Sequence, residues 1–198
     1  MDFMDELELH AKWNASSGKE GAPLRRPELD LTGVDLANRS LSGAEVPGTK
    51  FDGARLIGAD LGMCNLASCS FRRADLTGVM LAKANLDYAI LVEAILRNAR
   101  LFRASLAFSD LSRADLERAD LRRADLSDAV MIGTNLGGTL LEGATFTGAT
   151  ISGVNLEGAE LRGAIGLDAA TVNDIRVGPG QSDRLEGASA REWLLMRV

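Results

Sequence analysis

The chain is poor in the residues that build most catalytic and metal-binding sites. Its 198 residues include one histidine and two cysteines, and aromatic residues make up only 5%. His10 has no second histidine or cysteine near it in the sequence, so we do not expect it to bind a metal. Neither a G-x-S-x-G nucleophile motif nor a phosphate-binding loop is present. We therefore expect no catalytic residues, no metal site and no cofactor.

The sequence also lacks long hydrophobic runs and an excess of basic charge. No run approaches the roughly 20 apolar residues that cross a membrane, and the N-terminal segment is acidic where a signal peptide is basic. The formal net charge is −6, whereas a general nucleic-acid-binding protein is basic. Cys64 and Cys69 occupy positions suited to small buried residues, which favours reduced thiols. We expect a cytoplasmic protein that contacts neither a membrane nor nucleic acid directly.

What the sequence has in abundance is a period of five. From Leu31 to Leu161 every fifth residue is apolar, and 21 of these 27 central residues are leucine. A small residue, usually alanine, stands two positions before each central residue, and glycine often stands two positions after it. This period matches neither a helix nor a strand. It predicts a chain that turns a corner every five residues and closes coils of about 20 residues, which stack on one another.

The turn residues agree with such a coil, except in its middle. In a segment such as Leu31–Val34 glycine stands third, where a type II turn requires a positive φ. From Lys83 to Asp128, however, glycine is missing from ten consecutive positions of this kind. The central coils therefore carry side chains that the repeat itself does not require.

The motif A(D/N)LxG recurs along the array, for example at residues 59–61, 74–78, 84–86 and 114–116. Over residues 29–165 the chain closely resembles the pentapeptide-repeat family. The resemblance implies an all-β solenoid, namely a right-handed quadrilateral parallel β-helix, and the 27 repeats correspond to about seven coils. It implies little about activity, because one fold can carry many functions.

The flanking segments predict short α-helical caps for the two ends of the array, which would otherwise expose sheet edges and apolar surface. Residues 1–28 are interpreted as an N-terminal helical cap and linker, with a short helix from Asp2 to Asn14. Three side chains of this helix are expected to cover the first coil, namely Phe3, Leu7 and Trp13.

Residues 166–198 are interpreted as a C-terminal cap, a Gly/Pro linker and a terminal helix. We expect a short cap from Leu167 to Ile175 and a flexible link over residues 177–182. The terminal helix is expected to be N-capped by Ser189.

Two residues of the terminal helix, Trp193 and Leu194, are expected to make a cap contact or a dimer contact. A helix of this kind more often docks on its own chain than on a second copy. The sequence leaves both a monomer and a homodimer open.

The candidate partner-binding residues lie in the central coils and are Lys83, Tyr88, Phe102, Arg103, Phe108 and Arg123. Because residues 20 apart should stack in columns, the three cations form one column of like charge, which is unfavourable without a purpose. Two of the aromatic residues form a column on the adjacent side, and the third points outward beside arginines. Exposed aromatic groups next to arginine are typical of a protein-binding surface. The alternative is that the arginines only pair with neighbouring acidic residues, at little net energy.

Two classes of function follow. The first is a non-catalytic scaffold for protein–protein interaction with an unidentified protein partner. The second, implied by the resemblance to quinolone-resistance members of the family, is a DNA mimic that binds DNA gyrase and protects it from inhibitors. Residues 29–165 hold 17 acidic and 14 basic residues. The resulting excess of acidic residues is small for a mimic of a DNA duplex, which carries one negative charge every ~1.7 Å of its axis. The sequence favours the scaffold, and a role as a secreted effector would leave no trace in it.

Overall fold

The computed structural model describes residues 2–179 and 183–198. Its central part is an array of parallel backbone bridges between residues 20 apart in the sequence, from Arg25–Glu45 to Thr145–Ile165. A bridge recurs at every fifth residue, so four ladders of bridges run along the array. This arrangement is the stacked all-β coil that the period of five predicts.

Four strands and two helices are the regular elements of the described residues. They are α1 (Phe3–Ala15), β1 (Val130–Ile132), β2 (Thr150–Asn155), β3 (Thr171–Arg176), β4 (Arg184–Glu186) and α2 (Gly187–Leu195). The strands form one sheet in the order β1-β2-β3-β4. The first three are parallel, and β4 pairs antiparallel with β3.

The large apolar residues of the period fill the interior. Every central position from Leu31 to Leu161 is buried. The Phe51 and Phe71 rings, one coil apart, stack with their centroids 4.9 Å apart. At three of the small inward positions that carry a hydroxyl a main-chain carbonyl accepts it, and Thr134 Oγ1, for example, donates to Leu111 O at 2.8 Å. The buried Thr49 Oγ1 has no hydrogen-bond partner among the described residues. Large and small side chains thus alternate inside the coil, as the sequence pattern predicts.

Each corner of the coil is a tight turn whose third residue has a positive φ. At the first corner Val34 N donates to Leu31 O at 3.2 Å, and Gly33 has a φ of +68°. These two features are those of a type II turn. In the central coils the third residue of ten consecutive turns is not glycine but adopts the same conformation, from Lys83 (φ +59°) to Asp128 (φ +56°).

Helix α1 covers the N-terminal end of the coil. Its N-cap, Asp2, accepts a hydrogen bond from Asp5 N at 2.9 Å. Leu7 is buried, whereas Phe3 and Trp13 are half-buried. All three apolar residues expected to contact the coil therefore face its end to some degree, with Leu7 inserted most deeply.

His10 of α1 is a buried link between the cap and the coil. Its Nδ1 accepts a hydrogen bond from Leu24 N at 3.0 Å. Nδ1 is therefore the unprotonated nitrogen, and Nε2 donates to Ser42 O at 3.0 Å. Both ring nitrogens are used in holding the helix on the first coils.

The C-terminal segment differs from the sequence expectation in two places. The predicted short cap over residues 167–175 contains most of β3, which extends the sheet by pairing with β2. Helix α2 begins at Gly187 after the N-cap Glu186, which makes no side-chain capping bond. The prediction that Ser189 caps this helix is wrong, because Ser189 lies inside its first turn. Of the predicted link over residues 177–182, residues 180–182 lie outside the described residues.

Helix α2 packs on the last coils of its own chain. Leu194 is only 1% exposed and lies against the apolar end of the core, near Met131, Phe146 and Leu161. Trp193 is half-buried, and the Arg197 guanidinium lies 3.7 Å from its ring centroid. Leu194 is therefore a cap contact. Within the described ranges, neither helix has the length and apolar character needed to cross a membrane.

Candidate protein-binding surface

The aromatic corner, which we define as Tyr88 and Phe108, is the most exposed apolar feature of the central coils. Both residues stand third in their turns, with φ of +60°. Their rings stack with centroids 4.9 Å apart and planes 5° apart. Tyr88 is 59% and Phe108 is 51% exposed. The structure thus brings together the two aromatic residues that the sequence placed in one column.

The cationic corner, which we define as Lys83, Arg103 and Arg123, lies at the previous turn of the same coils. All three residues are exposed and have φ between +58° and +60°. None of them forms an ion pair with any residue that the structure describes. Met63 stands one coil earlier on this corner and is 64% exposed. The column of like charge is therefore present and is not neutralised by ion pairs within the described part of the chain.

Phe102 lies beside the cationic corner and is half-buried. The guanidinium carbon of Arg103 is 5.3 Å from its ring centroid and that of Arg122 is 6.0 Å away, distances at which a cation is attracted to an aromatic face. Arg122 also donates to both carboxylate oxygens of Asp120, at 2.8 and 2.7 Å. This pairing is the main reason why the pKa of Asp120 is lowered.

Several arginines on the other corners are paired, as the alternative interpretation predicts. Glu93 accepts from Arg73 at 2.7 Å and from Arg113 at 3.4 Å, and these contacts lower its pKa, with Arg73 the larger cause. Arg97 pairs with Asp115 at 2.5 Å. Exposed pairs of this kind contribute little to stability. The interpretation as a solvated, charge-balanced surface therefore holds for these corners and fails for the cationic corner.

The side of the coil between the aromatic and cationic corners carries short side chains. Ser105 Oγ donates to the Asp87 carboxylate, which also accepts from Ala107 N at 3.2 Å. Ala107 is only 9% exposed, and Asn85 is half-buried. The side chains of both corners therefore project beyond the short, hydrogen-bonded side chains between them, so that one partner can contact both corners.

Sequence reasoning missed a shallow cleft of about 840 Å³ near the C-terminal end. Gly133 and Gly153 lie in its wall, and the strand β3 places Asp174 beside them. Asp174 accepts from Ser152 Oγ at 3.0 Å, from Gly153 N at 2.9 Å and from Arg184 Nε at 3.1 Å. Its polar groups are engaged within the protein. The cleft depends on β3 and β4, which the period of five does not predict.

The chain belongs to the pentapeptide repeat family. The family model matches eight copies of the repeat, over residues 30–62, 63–98, 99–138 and 124–163. These ranges cover residues 30–163 and therefore nearly the whole array of ladders described above. Membership explains the coil and its stacked columns, and it does not identify a partner.

Several solved structures are similar to the chain. HetL, a pentapeptide repeat protein involved in heterocyst differentiation regulation from the cyanobacterium Nostoc, is 26% identical with a TM-score of 0.45; the match covers 86% of this chain and 96% of HetL. Rfr23 from the cyanobacterium Cyanothece is 30% identical with a TM-score of 0.36, over 65% of this chain and 91% of Rfr23. QnrB1, a plasmid-mediated fluoroquinolone resistance protein, is 17% identical with a TM-score of 0.46, over 79% and 82%. Comparison with functionally curated proteins finds no match.

Proposed function

We propose that this chain is a non-catalytic scaffold that binds a protein partner through the aromatic and cationic corners and Phe102. The observation that carries the proposal is the run of ten residues other than glycine at positive φ. An L-residue in the left-handed region costs roughly 1–2 kcal/mol, which glycine avoids. Towards both ends of the array glycine takes most of these positions. Backbone strain that is concentrated in one region points to a function of some of the side chains there.

The composition of this surface supports the same proposal. Aromatic residues and arginine are enriched where proteins bind one another, and truncating such an anchor typically costs about 2 kcal/mol or more of binding free energy. Tyr88 and Phe108 remain half or more exposed although both are large and apolar. A partner that covers them would remove this apolar surface from water. We take the supporting coil to be right-handed, with about seven turns, as the repeat number suggests.

We also propose a cytoplasmic location, which the two buried, unpaired thiols Cys64 and Cys69 support.

The alternative function, a DNA mimic that binds gyrase, requires an acidic rod. The exposed cations Lys83, Arg103 and Arg123 have the opposite sign to the charge of such a mimic. We therefore expect no inhibition of gyrase supercoiling by the protein; inhibition that weakens with added salt would establish the alternative instead.

The test is capture of a partner by crosslinking in extract of the source cells, with a matched pair of double variants. Tyr88→Gly/Phe108→Gly removes the aromatic corner. Glu93→Gly/Arg113→Gly is the control, because it removes two side chains one coil apart at φ +60° and +59° without changing the net charge. Both variants keep the preferred backbone conformation.

We expect the aromatic variant to lose the captured protein while its melting temperature is unchanged or higher. The control should capture the partner as the unchanged protein does. If both variants capture the partner as well as the unchanged protein does, the partner binds elsewhere on the molecule, and the proposed surface is wrong. Equal loss in both would show that capture depends on general properties of the coil.

A further inference from the structure

The cationic corner forms part of a locally basic patch on an acidic protein. Around Phe102 lie Lys83, Arg103 and Arg123, and they are joined by Arg100 and Arg122 on the same side. Of the acidic residues that act on Arg122, Asp120 is held by it directly and Glu142 is paired with Arg162. The chain as a whole has a net charge of −6. The three members of the cationic corner form no ion pair with any described residue, so their positive charge is available to a partner.

The spacing of the cationic corner suits an extended polypeptide. Its members lie on successive coils, and neighbouring strands are about 4.8 Å apart, so Lys83 and Arg123 are separated by roughly 10 Å along the coil axis. An extended chain rises about 3.3 Å per residue, so three or four residues cover this distance. Arginine also binds carboxylates with charge-assisted hydrogen bonds, which are the stronger kind. A short acidic segment would complement the column.

The aromatic corner favours a polypeptide over a nucleic acid. Tyr88 and Phe108 stack on each other at 4.9 Å, so no base fits between their rings. Several carboxylates lie on the nearby coil surface, among them Asp87, Asp125 and Asp128. They would repel a phosphate backbone that followed the aromatic corner, whereas an apolar or aromatic side chain carries no charge to be repelled.

We propose that the partner presents an acidic segment that also carries an aromatic side chain. Its carboxylates bind Lys83, Arg103 and Arg123, and its aromatic group packs on Tyr88 and Phe108. This inference rests on the proposed scaffold function and specifies the chemistry of the partner. It also gives a reason for the column of like charge, because the partner supplies the missing negative charge.

The experiment measures binding of fluorescently labelled polypeptides to the full chain by anisotropy, at low and at high salt. The probe is a random copolymer of glutamate and tyrosine; poly-glutamate, a single-stranded oligonucleotide and vesicles of anionic lipid are compared with it. Arg103→Gly/Arg123→Gly tests the cationic corner. Arg113→Gly/Arg118→Gly is the control, because it changes the charge equally at the same backbone conformation, φ +59° and +58°, on other corners.

We expect the copolymer to bind more tightly than poly-glutamate, and the binding to weaken with salt. The Arg103→Gly/Arg123→Gly variant should weaken copolymer binding about tenfold, since two charge-assisted contacts are lost, and the control by no more than about twofold. Tyr88→Gly/Phe108→Gly should abolish the preference for the copolymer over poly-glutamate.

Three results would overturn the inference. These are no binding of the copolymer, equal weakening by the two arginine variants, and tighter binding of the oligonucleotide or the vesicles than of the copolymer. If the copolymer fails to bind while crosslinked capture still depends on Tyr88 and Phe108, the partner is not acidic and the scaffold function stands. If capture is also independent of the aromatic corner, both proposals fail.

Discussion

Replacing Lys83 by glycine should make the protein more stable, although a side chain is removed. Lys83 has a φ of +59°. The left-handed conformation costs an L-residue roughly 1–2 kcal/mol, whereas the larger conformational freedom of glycine in the unfolded chain costs about 0.5–1 kcal/mol. The side chain is exposed and forms no ion pair with any described residue, so little else changes. The expected net gain in the free energy of unfolding is about 0.5–1 kcal/mol.

Two further variants isolate the backbone conformation as the cause. Gly53 has a φ of +63°, and a Cβ added there meets no atom within 4 Å. Gly53→Ala should therefore lose about 0.5–1 kcal/mol through conformation alone. Ala82 precedes Lys83 in the same turn and does not have a positive φ. Ala82→Gly should be destabilising by about 0.5–1 kcal/mol, since it gains unfolded-state freedom without relieving strain.

The assay is guanidinium unfolding followed by far-ultraviolet circular dichroism. Denaturation midpoints of the variants are compared at the same protein concentration. Midpoints are used in place of fitted free energies because a repeat array need not unfold in one step. Hydrogen exchange at the Ala84 amide, which closes the turn by donating to Leu81 O at 3.0 Å, gives a local measure. A lower midpoint for Lys83→Gly would refute the reasoning, because it would mean that the lysine side chain stabilises the coil by more than its backbone strain.

Three other predictions follow from buried groups. Leu101→Asp should unfold the coil, because Leu101 is 0% exposed and an unpaired carboxylate there costs several kcal/mol; circular dichroism checks this, and a folded variant would contradict the inward assignment. Burial raises the pKa of the Cys64 and Cys69 thiols to about 12, so both stay protonated at pH 8 and should resist a disulfide reagent until denaturant is added. Fast labelling of the folded protein would contradict this. His10→Phe should lower the melting temperature, since Leu24 N loses its acceptor at a cost of about 1–3 kcal/mol; an unchanged melting temperature would mean that water replaces the imidazole.

The period of five made the candidate surface predictable because the ladders pair residues 20 apart. Once that pairing is known, Tyr88 and Phe108 must be neighbours, and so must Lys83, Arg103 and Arg123. No long-range reasoning is needed, since each column follows from the sequence number. The binding role of these residues stays a prediction, because a column fixes position and not affinity.

Two kinds of feature were not predictable in the same way. They are contacts of individual side chains and the structure of the chain after the last repeat. Phe102 was expected to point outward beside arginines; two arginines do lie over its ring, but its half-burial does not follow from the repeat. The repeat ends near Gly166, and the pairing of β3 with β2 includes register shifts that no period describes. Helix α2 likewise starts at Gly187 and not at Ser189, and its N-cap Glu186 makes no side-chain capping bond that the sequence could have indicated.

The four ladders also constrain how this molecule can change in length. Since pairing joins residues 20 apart with four bridges per coil, the direction in which a side chain projects depends on its sequence number modulo 20. Deleting 20 residues from the array shortens the rod by one layer and keeps every downstream column aligned. Inserting five residues preserves the alternation of large and small core residues but rotates everything after the insertion by a quarter turn. Such an insertion between Tyr88 and Phe108 would leave the core filled and move the two rings to different sides of the rod.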